Sequence, residues 1–128
     1  MRTLIAILGA ALIGNIAIST PAQASAAIAE SLCTAVSADD RQRFRTILDN
    51  HNVRLRNVYS GVRCNGYSMI QFAITAEAAS VGELLIRQLP SRSIEEDTVN
   101  GVPVLEWAAQ SGYSNSPVVS VVRERLAG

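Results

Sequence analysis

The chain has 128 residues with eleven basic and eleven acidic side chains, so its net charge of zero gives no global attraction to nucleic acid or to a charged membrane. Every basic residue is Arg, and with one histidine (His51) and two cysteines the sequence is short of ligands for a structural zinc site. The length allows one domain around one modest core.

The first predicted element is an export signal over residues 1–24. Arg2 supplies a positive start, and Leu4 to Ile18 is apolar apart from Gly9, Gly14 and Asn15. Pro21 follows, then Ala22-Gln23-Ala24, with small residues at the two positions a signal peptidase reads. Cleavage is expected before Ser25; Ala24-Ser25-Ala26 offers a second position, before Ala27. The alternative is a membrane anchor, but the apolar run of about 15 residues falls short of the roughly 20 a spanning helix needs. No basic stop-transfer cluster follows it, and no Cys stands at either site for lipid attachment. The short alanine-rich signal has a bacterial character and predicts a periplasmic or secreted location for a single small helical domain, residues 25–128.

Cys33 and Cys64 come next as the one pair of cysteines. In an exporting compartment an even pair reads as a disulfide. A redox-active pair is normally spaced C-x-x-C, and these are not. Closing a loop of about 32 residues contributes on the order of 3–4 kcal/mol.

A helix is predicted over 39–50. Ser37-Ala38-Asp39-Asp40 resembles a capping box, with acids near the positive end of the helix dipole. Phe44, Ile47 and Leu48 share one face, and Arg41, Arg45 and Asp49 form an i, i+4 series on another. His51 stands at the expected helix end, where an imidazole caps carbonyls or stays solvated. Val53, Leu55, Asn57 and Tyr59 then alternate with Arg54, Arg56 and Val58, and Ser60-Gly61 offers a turn, so a short β-hairpin is predicted near 53–64.

The second half repeats itself. Asn65, Gly66, Ile70, Phe72 and Ala73 map forward by 35 residues onto Asn100, Gly101, Leu105, Trp107 and Ala108. Val81, Leu84, Leu85 and Leu89 map by 37 onto Val118, Val121, Val122 and Leu126, with the slip in the loop-like 112–117. A period in the 30s predicts stacked helical hairpins. In each unit Asn-Gly makes the turn, a short helix follows with Phe72 or Trp107 turned to the core, and a second helix carries the aliphatic row. Pro90 closes the first of these second helices and Pro117 opens the other. Glu95-Glu96-Asp97, between units, reads as a solvated linker.

These segments resemble ankyrin repeats. Ser68-Met69-Ile70-Gln71-Phe72-Ala73 and Pro103-Val104-Leu105-Glu106-Trp107-Ala108 match the family's T-P-L-H-x-A signature at the hydrophobic and alanine positions, without its Thr-Pro and His. A degenerate unit precedes them, with Leu32, Cys33 and Ala35 as first helix and Arg41 to Asn50 as second. The resemblance implies two to three stacked hairpins, with the 53–64 segment projecting as a finger. It also implies that Cys33, Gln71 and Glu106 share the slot of the bracing histidine, which reaches toward the turn opening the next unit. A Cys33–Cys64 bond would then staple the first unit to the second. Leu-Cys, Asp-Asp-Arg and Cys-Asn-Gly together are also similar to a small family of exported proteobacterial proteins of unknown function.

For chemistry the sequence offers little. It contains no nucleophile elbow, P-loop, paired-carboxylate motif or calcium-hand loop. Charge is uneven: Arg41, Arg43, Arg45, Arg54, Arg56 and Arg63 meet only Asp49 within 41–64, while 65–128 holds four Arg against seven acids. Arg41, Arg45, Arg54 and Arg56 are therefore the candidate surface for an anion or partner, against the plainer reading of a solvated face. The expectation is a mainly α, disulfide-braced, non-catalytic binding or structural module of the bacterial cell envelope. It would need no cofactor or metal, and its partner would be an envelope protein or an anionic envelope component rather than nucleic acid. A small periplasmic enzyme or an enzyme inhibitor is the alternative.

Overall fold

The computed structural model describes residues 21–128, with side chains from Ala26 onward. Most of the predicted signal, residues 1–20, lies outside the described residues. Pro21 is the first described residue of helix α1 (Pro21–Ser37), so both expected cleavage positions fall within that helix. The remaining elements are α2 (Arg41–Asn50), α3 (Leu55–Val58), a 3₁₀ turn (Tyr59–Gly61), α4 (Met69–Ala76), α5 (Ala79–Gln88) and α6 (Ser91–Glu95). Strands β1 (Thr98–Val99) and β2 (Val102–Pro103) and helices α7 (Val104–Gln110) and α8 (Pro117–Ala127) complete the order. The protein is mainly helical.

Three helix pairs, α1/α2, α4/α5 and α7/α8, pack in chain order: α4 lies on α1, α5 on α2, and α8 on both α4 and α5. The core runs along this stack. Leu32, Ala35 and Val36 of α1 and Phe44 and Leu48 of α2 meet Met69, Ile70, Ala73 and Ile74 of α4. Val81, Leu84 and Leu85 of α5 continue to Val118, Val119 and Val122 of α8. Each set has helical i, i+3, i+4 spacing, which puts its members on one face. Gly82 lets α5 and α8 approach closely; a Cβ there would sit 2.6 Å from Cγ2 of Val118.

The repeated Asn-Gly pairs behave as their chemistry requires. Asn65 and Gly66 have φ of +55° and +85°, and Asn100 and Gly101 have +53° and +84°. Two successive positive φ values make the turn of a hairpin, and Asn and Gly tolerate them best. Around Asn65-Gly66 the pairing is a single bridge, Cys64 to Tyr67. Around Asn100-Gly101 it widens into the antiparallel β1–β2 ribbon, with Val99 opposite Val102.

The β-hairpin expected near 53–64 is instead the short helix α3 and its 3₁₀ turn. Leu55, Tyr59 and Val62 are buried while Arg54, Arg56 and Asn57 are exposed. That spacing of four and three residues is helical, and burying those three side chains outweighed the local two-residue alternation. Phe72 and Trp107, expected in the core, are half-buried. Trp107 packs between the rings of Tyr67 and Tyr113, with centroids 5.7 and 5.5 Å away.

The Asp39-Asp40-Arg41 run does more than start a helix. Asp40 is the N-cap of α2, its carboxylate accepting from the Arg43 N–H at 3.0 Å. Asp39, held at φ +53°, accepts from the Val81 N–H at 2.8 Å. Val81 is in the first turn of α5, whose own N-cap, Ala78, has no side-chain oxygen to offer. At the other end of α5, Arg125 of α8 donates to the carbonyls of Ile86 (3.3 Å) and Leu89 (3.2 Å) and to Ser91 Oγ (2.8 Å). The central helix thus has an acid from the preceding hairpin at its positive end and a guanidinium from the following hairpin at its negative end. At the opening of α8, Ser116 is the N-cap and Pro117 follows it.

Candidate functional site

The arginines of the first hairpin divide into two groups. Arg41 is turned toward α5, donating to Glu83 Oε1 at 3.2 Å and to the Ser80 carbonyl at 3.5 Å. Glu83 also accepts from Arg87 at 2.9 Å, and these two guanidinium groups hold its carboxyl below the usual range, with the Arg41 hydrogen bond as the largest cause. Arg45, Arg54 and Arg56 instead line one groove of ≈ 340 Å³ between α2, α3 and the end of α5. Leu48, Val53 and Leu55 form its apolar wall, with Asp49 and Gln88 at its polar margin. Arg45, Arg54 and Arg56 are exposed, and none has a carboxylate within 4.0 Å among the described residues. Three of the four candidate arginines are therefore brought together, and the fourth is diverted into a salt bridge.

His51 caps α2: its N–H donates to Ile47 and Asp49 carbonyls, and Nδ1 lies 2.8 Å from the Ile47 oxygen. Among the described residues, no group of three or more His, Cys, Asp and Glu is arranged to hold a metal.

The slot shared by Cys33 and Gln71 makes the same kind of joint twice. Cys33 and Cys64 are disulfide-bonded with Cα atoms 5.5 Å apart, joining α1 to the strand-like entry of the Asn65-Gly66 turn. Gln71 Nε2 donates to the Thr98 carbonyl at 3.0 Å and to Asp97 Oδ1, at the entry of the Asn100-Gly101 turn. Glu106, in the third copy of the slot, is exposed.

The reading of Glu95-Glu96-Asp97 as a solvated linker is corrected at its last residue. Glu95 and Glu96 are exposed, but Asp97 is 7% exposed. Its Oδ2 accepts from the Tyr59 hydroxyl and from Ser68 Oγ (2.7 Å), its Oδ1 accepts from Gln71, and its main-chain carbonyl accepts from the Val104 N–H at 3.0 Å. Ser68 and Gln71 form a reciprocal capping box at the start of α4. Burial pushes the Asp97 carboxyl up, against the opposing pull of its three donors and of nearby Arg63. Burial, with the facing Asp97 charge, keeps the Tyr59 phenol protonated. A cleft of ≈ 190 Å³ between Arg63, Ser93 and Glu96 opens onto this cluster. Sequence reasoning missed it. The Ser68-x-x-Gln71 spacing was a legible signal for half of it, whereas nothing local marks Asp97 as the acid that turns inward.

Residues 32–96 match the model of a family described as "Protein of unknown function (DUF3718)". No curated protein and no solved structure matches the chain. The matched segment holds both members of the disulfide, the three groove arginines, the end of α1 with all of α2, and the second hairpin. The chain belongs to the DUF3718 family of proteins of unknown function.

Proposed function

We propose that the protein is a non-catalytic binding module of the bacterial cell envelope. In this reading it is exported by a signal over residues 1–24 and built from degenerate ankyrin-like hairpins. It docks an anionic envelope component or an acidic partner protein through the groove of Arg45, Arg54 and Arg56. The observation that carries the reading is the grouping of three exposed arginines without carboxylate partners around one concave surface, beside a fourth that is paired. An anion entering the groove gains three charge-assisted contacts without having to break an ion pair. The disulfide supports export, since such bonds persist in oxidising compartments.

The test is binding of the purified chain to soluble polyphosphate over a salt series. Affinity should fall steeply with salt, because exposed charges are screened within about 8 Å at physiological ionic strength. Changing Arg45, Arg54 and Arg56 together to Gln should abolish binding, and Arg41→Gln should change it little. Salt-independent binding, or equal loss from Arg41→Gln alone, would overturn the assignment of the groove.

A further inference from the structure

The arginine groove has an apolar neighbour. Beside it, at the C-terminal end of α3, is a cavity of ≈ 250 Å³ lined by Ile28, Asn57, Val58, Ser60, Gly61 and Val62. Three of these are aliphatic, and the charged groups of the groove are absent from its lining. Arg56 lines the groove and Asn57 and Val58 line the cavity, so the two openings flank one helical turn.

Cationic side chains beside an aliphatic cavity match an amphiphile with an anionic head and a hydrocarbon tail. A soluble polyanion would use the arginines and leave the cavity empty; an apolar peptide would use the cavity and leave three guanidinium groups unmatched. We infer that the first hairpin is a docking surface for anionic phospholipid, with the phosphate head in the groove of Arg45, Arg54 and Arg56 and part of an acyl chain against Ile28, Val58 and Val62. This rests on the anion-binding reading of the groove and adds the source of the anion. Each arginine near an anionic membrane raises partitioning roughly fivefold, so three together give on the order of a hundredfold. Each buried methylene of the tail contributes roughly fourfold more.

The experiment is flotation of the exported protein, with its signal removed, with phosphatidylcholine vesicles, with and without phosphatidylglycerol, beside binding to soluble polyphosphate and to polyglutamate. The chain should float with the anionic vesicles and stay behind with the neutral ones. Arg45→Gln, Arg54→Gln and Arg56→Gln together should abolish flotation. Val58→Ser should weaken it severalfold with polyphosphate binding unchanged. Asn57→Glu, at an exposed position where misfolding is not at issue, should also weaken flotation by placing an acid at the cavity mouth. Binding to polyphosphate without flotation would overturn the lipid inference and leave the groove assignment standing, whereas binding to neither would remove both. Tighter binding to polyglutamate than to anionic vesicles would make the occupant an acidic protein and overturn the lipid. Flotation undiminished in both Val58→Ser and Asn57→Glu would overturn the acyl site.

Discussion

The joint between the first and second hairpins and the joint between the second and third are built at the same place in the repeat with different chemistry. At the first, Cys33 on α1 is covalently bound to Cys64 at the turn that opens α4. At the second, Gln71 on α4 reaches the turn that opens α7 through hydrogen bonds to Asp97 and Thr98. The second joint is a network: Gln71, Ser68, Tyr59 and the Val104 N–H all converge on Asp97. The first joint is a single covalent bond, beside which Cys64 and Tyr67 exchange main-chain hydrogen bonds. The difference shows that what this position must supply is a short, fixed link between a first helix and the next turn. A disulfide does this chiefly by restricting the unfolded chain. A buried hydrogen-bond network does it only if every member is satisfied.

The largest effect follows from breaking the covalent joint. Changing Cys33 and Cys64 to Ser should lower unfolding free energy by about 3 kcal/mol, read as a drop in melting temperature. Limited proteolysis should then cut within 28–64 before 65–126. If the two halves are cut together, the joint stabilises the whole stack rather than the first hairpin.

Breaking the polar joint should cost less. Gln71→Leu keeps the volume and leaves Asp97 Oδ1, the Thr98 carbonyl and the Ser68 N–H each short of a partner. One unsatisfied buried group costs about 1–3 kcal/mol, so a loss of about 2 kcal/mol is expected. Hydrogen exchange should rise first in β1, β2 and α7. An unchanged melting temperature would mean that water replaces the Gln71 amide through the neighbouring cleft.

Both joints differ in how far the sequence revealed them. Cys33–Cys64 was legible because two cysteines leave one pairing, and the repeat register brings them to one turn. The three helix pairs were legible because the aliphatic rows of α5 and α8 recur at helical spacing and the Asn-Gly turns mark the units. The 53–64 segment was misread because its alternation of Arg with aliphatic residues is a local pattern, whereas burial of Leu55, Tyr59 and Val62 is decided by the helices beneath them. Asp97 was misread because an acid in a Glu-Glu-Asp run has no local mark of burial; its partners come from positions 26 to 38 residues away. The grouping of Arg45, Arg54 and Arg56, and the loss of Arg41 to Glu83, likewise depend on how α2 lies against α5.

A smaller effect sharpens the comparison by testing a contact shared across the first joint. Asp39 lies in the first hairpin but caps α5 in the second. Asp39→Ala removes that acceptor, and an N-cap loss of this kind costs about 1 kcal/mol. Asp39→Asn should recover most of it, since the amide oxygen accepts the same hydrogen bond. If Asn and Ala are equally destabilising, the negative charge at the helix end matters more than the hydrogen bond.

The last effect is a slope with pH, and it separates the two joints because only the polar one titrates. Desolvation raises the Asp97 carboxyl above its ordinary value despite its three donors. The folded state therefore binds this proton more tightly than the unfolded chain does. It follows that the Asp97 contribution is greatest in acid, begins to fall as pH rises past about 4, the ordinary Asp value, and levels off above the raised folded value. Glu83 runs the other way: its lowered value contributes stability above the ordinary Glu range that is lost on acidification. The two can be told apart with salt, which screens the exposed Glu83 pair far more than buried Asp97. Asp97→Asn removes the ionisation while keeping a side chain of the same shape. Subtracting the stability of this variant from that of the parent at each pH, in high salt, should leave a difference that declines with rising pH and then flattens. A flat difference would show that the donors fully offset the burial of Asp97. A difference that climbs with pH would show that they more than offset it, making the second joint an ionic one in effect, as firm in its charged state as the first is in its covalent one.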